Sequence, residues 1–199
     1  MVSAILLAAG ESKRMGEQDK LFLKYKGNWI INHVMQNLWA SNKSELIIVM
    51  NNNDNELLNG QKSDEIQVVV NPDFRKGMTT SIQAGVKAAT ESATGYIICL
   101  ADQPLMKKED YNEIITRFEL LYKHDPKCIV VPFFEGVKGN PVIFSSAYRD
   151  AILNHKNMEG CKEIVQANQS NVYRIEMTND HILRDVDTPT DFLNLVENH

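Results

Sequence analysis

Cysteine is scarce in this chain of 199 residues: three are present, Cys99, Cys128 and Cys161. They stand far apart, in odd number and without zinc-ligand spacing, so neither a disulfide framework nor a zinc scaffold is indicated. A reducing, cytoplasmic setting is expected. Long apolar runs are also missing. The opening stretch Met1 to Gly10 is briefly apolar but has no basic leading region. It falls far short of the roughly 20 residues of a membrane span, so a buried first strand is expected and no membrane partner. Positive charge is not in excess: 21 Lys and Arg face 26 Asp and Glu, a net charge of −5. Nucleic acid affinity comes mostly from Lys and Arg meeting phosphates, so no nucleic acid partner is expected, although a local basic cluster can still hold a small phosphorylated ligand. The five histidines, His33, His124, His155, His181 and His199, show no ligand spacing and are expected at the surface or in packing. Trp29 and Trp39 are expected to pack. No repeat or low-complexity linker stands out, and 43% hydrophobic content suffices for one buried core. A single domain over 1–199 is expected.

What is there is an alternation of short apolar runs with longer amphipathic stretches. Strands are predicted at 4–8, 46–50, 67–70, 96–100, 129–133, 142–144 and 172–175. Helices are predicted at 28–40, 79–89, 107–122, 147–153, 161–167 and 189–197, the last with Thr188 as cap and Pro189 at its first position. A weak helix is expected within the polar stretch 51–64. Several strands are continuous apolar runs, the pattern of strands covered on both faces. The order predicts an α/β fold, a three-layer Rossmann-like domain with a mainly parallel sheet. Ligands of such sheets sit outside the carboxyl ends of the strands, so chemistry is sought in the polar residues that follow each one.

The first such place is Leu7-Ala8-Ala9-Gly10-Glu11-Ser12-Lys13-Arg14-Met15-Gly16, with Lys20 beyond it. Small residues let a backbone approach a ligand, and Gly10 and Gly16 tolerate unusual dihedrals. Backbone N–H groups of such a loop can point at phosphate oxygens. Arg14 can grip phosphate in a two-pronged way and Lys20 can act as a point charge. The glycine spacing excludes a Rossmann fingerprint, and no Gly-Lys-Ser/Thr is present for a Walker loop. Asp102 follows the strongly apolar 96–100 run, where a carboxylate faces the ligand cleft. Magnesium prefers one or two carboxylates with phosphate oxygens and waters, which suits Asp102. A second carboxylate is available from Asp187, with Asp185 as competitor. The segment Gly77 to Ser81 opens a helix, whose free N–H groups favour anions, and Thr80 and Ser81 add hydroxyls.

The loop resembles the signature of the MobA-like nucleotidyltransferase superfamily, Leu-Ala-Ala-Gly, any, Ser, any, Arg-Met-Gly, with a Lys shortly after. Three further stretches resemble its molybdenum-cofactor cytidylyltransferase branch: Asn71 to Ile82, Leu100-Ala101-Asp102-Gln103-Pro104, and Gly139-Asn140-Pro141-Val142. Asp185-Val186-Asp187-Thr188-Pro189-Thr190-Asp191 fits as well, so the likeness runs along nearly the whole chain. Ala101 and Asn140 depart from it, where many relatives have Gly and His. The resemblance implies a nucleotide-diphospho-sugar-transferase-like fold. It implies nucleotide contacts from Leu7, Ala8, Ala9, Gly10, Glu11, Ser12, Arg14, Lys20, Asn71, Gly77, Met78, Thr80 and Ser81. Catalytic work would fall to Arg14, Lys20 and Asp102, and Mg²⁺, with Mn²⁺ as a substitute, to Asp102 and Asp187.

The reaction so implied is attack by an acceptor phosphate on the α-phosphorus of an NTP, with loss of pyrophosphate. An acceptor phosphate is already anionic and needs no general base, so catalysis reduces to alignment and charge stabilisation. By resemblance the nucleotide is CTP, the acceptor a molybdenum-loaded phosphorylated pterin, and a molybdenum hydroxylase a transient partner. The alternatives are a same-fold enzyme acting on a sugar or alcohol phosphate, and a non-catalytic pterin carrier.

Overall fold

In the computed structural model the described residues are 1–12, 15, 19–51 and 66–198. Arg14, Gly16, His199 and the expected helix at 51–64, apart from Asn51, lie outside them.

A seven-strand path carries the site. Strand β1 (Val2–Ala8) is central, flanked by β4 (Glu45–Met50) and β6 (Gly95–Leu100), both parallel to it. Beyond β4 lies β5 (Ile66–Val70), again parallel. On the other side the order continues through β9 (Val142–Ser145) and β7 (Ile129–Phe134) to β10 (Val172–Glu176), with β8 (Val137–Lys138) attached to β7. Among the described strands of this sheet only β9 and β8 run against the rest. The short connection from β7 to β9 explains this, because a parallel return needs a crossover of a dozen residues or more.

Side chains alternate between two cores, which is why the strands read as unbroken apolar runs. From β1, Ala4, Leu6 and Ala8 join one core with Ile97 and Cys99 of β6, whereas Ile5 joins the other with Tyr96 and Ile98. The first core is covered by helix α1 (Ile30–Trp39), through Ile31, Val34, Met35 and Leu38, and by α3 (Lys108–Tyr122), through Tyr111, Ile114, Ile115 and Phe118. The second is covered by α2 (Met78–Ala88), α4 (Arg149–Leu153) and α5 (Lys162–Ala167). Each large side chain buried this way contributes about 1.5–3 kcal/mol. The three-layer α/β arrangement expected from the sequence is thus present.

Two local expectations are corrected. The helical pattern from Asn28 begins only at Ile30, because Asn28–Trp29 pairs with Lys24–Tyr25 as a small hairpin, β3 with β2. Lys26 and Gly27 at its turn both have positive φ, the requirement of a two-residue I′ loop. Trp29 packs edge-on against Phe22, but Trp39 is exposed and lies beneath the Lys43 ammonium. No helix among the described residues is long and apolar enough to cross a membrane.

Candidate active site

The carboxyl ends of β1 and β6 open into a cavity of about 320 Å³. Its walls include Leu7, Ala9, Gly10, Ser12, Lys20, Gly77, Met78, Ser81, Asp102 and Asp187, so ten residues expected from the sequence are gathered in one place. At its floor the Lys20 ammonium lies 2.5 Å from Asp102 Oδ2 and 2.8 Å from Asp187 Oδ1. Burial alone would lower the pKa of Lys20, but the Asp102 and Asp187 carboxylates outweigh that and raise it. The second oxygen of Asp102, Oδ1, is buried and has no hydrogen-bond partner among the described residues. A buried carboxylate oxygen without a donor is costly, and a cation is what such an oxygen ordinarily binds. The carboxylates are fixed to each other through the backbone: Val186 N donates to Asp102 O at 2.9 Å. Asp185 lines the same cavity, its pKa raised first by burial and then by the charges of Asp102 and Asp187. Three carboxylates and one ammonium therefore stand on the described walls. No group of three or more His, Cys, Asp or Glu forms a complete metal cage among the described residues. Two carboxylates with ligand oxygens are what a magnesium site of the phosphate-bridged kind requires.

The loop after β1 positions Lys20 from behind. Ser12 accepts a bond from Lys20 N at 3.2 Å and donates to Asp19 Oδ1 at 3.0 Å. Asp19 in turn caps the short 3₁₀ turn Lys20–Phe22 through Leu21 N. Ser12 holds φ of 49°, a left-handed conformation unusual for a side-chain-bearing residue. Gly10 does not have the unusual dihedral expected of it, and a Cβ there would meet nothing within 4 Å. Neither packing nor backbone conformation demands glycine at that position. Glu11 pairs with Arg75 at 3.3 Å, and Ala8 is buried in the strand end.

The helix start at Gly77 differs from expectation. Its N–H groups are not all free, because the 157–160 segment folds over it. Thr79 N points at Met158 O, Thr79 Oγ1 donates to Asn157 O at 2.5 Å, and Gly160 N donates to Thr79 Oγ1 at 2.9 Å. Gly77 is required here: its φ is 132°, and a Cβ would lie 2.4 Å from Met158 O. Thr80 and Ser81 spend their hydroxyls internally. Asn71 Nδ2 donates to both at 2.9 Å, and Thr80 Oγ1 donates to Gly77 O. Asn71 and Thr80 therefore shape the rim without lining the cavity.

Sequence reasoning missed a polar cluster beneath the site. Asp110, 5% exposed, accepts bonds from Lys107 N, Asn179 Nδ2 and His181 Nδ1, each at 2.8 Å. Buried Gln103 donates to Ile182 O at 3.0 Å, and Asn140 N donates to the same oxygen. These bonds hold the 179–186 segment that delivers Asp187. A charged residue at the third position of a predicted helix, as Asp110 is in α3, was the available signal. Leu21, Phe74 and Leu100 also line the cavity and were not expected there.

Comparison with known proteins shows the family and the fold. The MobA-like NTP transferase domain model matches residues 4–172. The molybdenum cofactor cytidylyltransferase of Escherichia coli is 26% identical over 100% of this chain and 97% of that one. The nicotine blue oxidoreductase of Paenarthrobacter nicotinovorans is 25% identical over 94% and 92%. Among solved structures, Rv0371C from Mycobacterium tuberculosis in complex with manganese superposes with a TM-score of 0.80 at 20% identity, covering 100% of this chain and 99% of that one.

Proposed function

The chain belongs to the MobA-like NTP transferase domain family, and from that premise we propose that it transfers CMP from CTP to a molybdenum-loaded, phosphorylated pterin, releasing pyrophosphate. Family membership alone does not choose the chemistry, since one relative carries an oxidoreductase name. The observation that carries the reading is the Asp102–Lys20–Asp187 arrangement with its unpartnered Asp102 Oδ1, set at the mouth of the Leu7 to Ser12 loop.

Charge explains why a divalent cation belongs in this reading. Three carboxylates against one ammonium repel a triphosphate. Asp102 and Asp187 would hold the cation, Mg²⁺ or Mn²⁺, and when bound it supplies charge stabilisation at the phosphoryl oxygens. The manganese complex of a fold relative supports that choice. The chain's own residues do the rest. The small residues Ala9 and Gly10 admit the phosphates close to the backbone. Ser12 fixes Lys20, whose raised pKa keeps it cationic where charge develops on leaving pyrophosphate. Arg14 is assigned the outer phosphates with it. The acceptor phosphate oxygen forms the new bond to the α-phosphorus while the bond to the bridging oxygen breaks, and no side chain needs to take a proton.

The cytidylyl assignment rests on the Leu-Ala-Ala-Gly form of the loop and on the full-length likeness to the E. coli enzyme. A pocket that hydrogen-bonds one base leaves buried groups unpaired when offered another, at roughly 1–3 kcal/mol each. Pyrophosphate release is measured with equal CTP and GTP and the loaded pterin as acceptor. CTP is expected to be preferred about tenfold or more, and Ala9→Gly to narrow the preference. Equal use of both nucleotides ends the cytidylyl assignment; no release with any NTP returns the carrier alternative.

A further inference from the structure

Beside the nucleotide cavity lies a second one of about 160 Å³, sharing Met78 and Leu100 as a common wall. Its interior is apolar, built by Ile82, Ile98, Val142 and Phe144. Two lysines from distant parts of the chain stand on its walls: Lys138, carried by β8, and Lys162, the first residue of α5. Neither ammonium has an ion-pair or hydrogen-bond partner among the described residues. Glu159 borders the cavity and pairs with neither. Both lysines reach solvent, yet partial desolvation and then the nearby Lys162 charge hold Lys138 below its ordinary pKa. Two like charges facing one apolar cavity repel, and a carboxylate between them would relieve the repulsion. Among the described residues Glu159, on the same wall, makes no ion pair with either lysine, which leaves room for an anionic ligand.

The larger cavity on the far side of the carboxylates makes a poor alternative for an anionic substrate. Its walls carry Asp185, Asp187 and Asp191. The cation there, Arg184, is paired with Asp180.

We infer that the Lys138–Lys162 cavity receives the end of the acceptor remote from its attacking phosphate, and that this end carries a second anionic group on a flat ring system. Lys138 and Lys162 hold the anionic group, the apolar walls take the ring, and Asn140 faces its polar edge. The cavity thereby selects acceptors with two separated anionic groups over simple phosphate monoesters. This rests on the nucleotidyl-transfer reading for its purpose, but not for its existence.

The probe is pyridoxal 5′-phosphate, an aromatic phosphate carrying an aldehyde, applied with Mg²⁺ and CTP present to cover Lys20. One lysine amine condenses with the aldehyde, water leaves, and borohydride reduces the imine to a stable amine read by peptide mass spectrometry. The adduct is expected on Lys138 or Lys162 at concentrations that leave the other lysines unmodified. The two depend on each other. Lys162→Gln should lower labelling of Lys138 about tenfold or more, the loss of one charge-assisted contact, and Lys162→Arg should retain it. In turnover with the loaded pterin, Lys138→Gln should raise the acceptor KM by a similar factor and leave the CTP KM unchanged. Labelling spread evenly over exposed lysines, or undiminished in Lys162→Gln, overturns the site whatever the turnover result. Selective, interdependent labelling without pyrophosphate release keeps the site and removes the transferase reading instead.

Discussion

Asp102 and Asp187 share one ammonium, yet Asp185 stands on the same wall, and the three are separable by substitution. Asp102→Asn and Asp187→Asn should each leave the thermal transition near that of the parent and cut turnover at limiting Mg²⁺ at least about 100-fold, the upper end of what losing an outer-shell partner costs. Asp185→Asn should change turnover far less, because that carboxylate is not bonded to Lys20. Titrating activity against Mg²⁺ in the three variants reads the difference, and full activity of Asp102→Asn at limiting metal excludes it as a ligand. At this scale the sequence was legible where a charged residue follows a buried strand, as Asp102 follows β6, and where a motif carries one into the same cavity, as with Lys20. It was not legible where a polar side chain serves its neighbours. Ser12 faces the cavity but spends its hydroxyl on Asp19 and the backbone of Lys20. Thr80 spends its own on a helix start. Side-chain type alone does not tell a ligand contact from a cap.

Two elements carry testable strain or capping. Gly77 is held at φ of 132° against Met158 O, so Gly77→Ala should destabilise by about 1–3 kcal/mol and release the 157–160 segment from α2. Chemical denaturation measures the first effect and limited proteolysis at 157–160 the second; an unchanged midpoint would show the contact to be dispensable. Helix α6 (Pro189–Asn198) begins with a reciprocal pair: Thr188 N donates to Asp191 Oδ2 at 2.7 Å and Asp191 N to Thr188 Oγ1 at 3.2 Å. The Thr188 hydroxyl, chiefly, lowers the Asp191 pKa below its ordinary 3.8. A lowered carboxylate pKa contributes stability that is present above 3.8 and lost as pH falls through the folded value. Asp191→Ala should therefore melt lower than the parent at pH 7, by roughly 0.5–2 kcal/mol, and the gap should close in strong acid. A gap that persists there points to packing instead. The Thr188-Pro189 signal was readable in advance because capping chemistry is local. The β2–β3 hairpin was not, because two residues per strand leave no periodicity.

Across the whole molecule, β1 and β6 bring Leu7 and Asp102 to one edge, and the 179–186 segment brings Asp187 to meet them. Asp110 anchors that segment from α3, so Asp110→Asn should lower both stability and metal-dependent turnover, with His181→Gln a weaker version of the same change. Loss of one partner from a buried polar cluster costs about 1–3 kcal/mol. If Asp110→Asn keeps full turnover at limiting Mg²⁺, the cluster merely supports the fold. The layering was legible because both faces of β1, β4 and β6 are apolar. The convergence was not, because nothing local in the sequence couples Asp110 to His181. Lys20 reaches partners 82 and 167 residues away. During synthesis, the phosphate loop and Asp102 leave the ribosome well before Asp187 does. The bond from Lys20 to Asp187 therefore closes only after the last strand, β10, has been made.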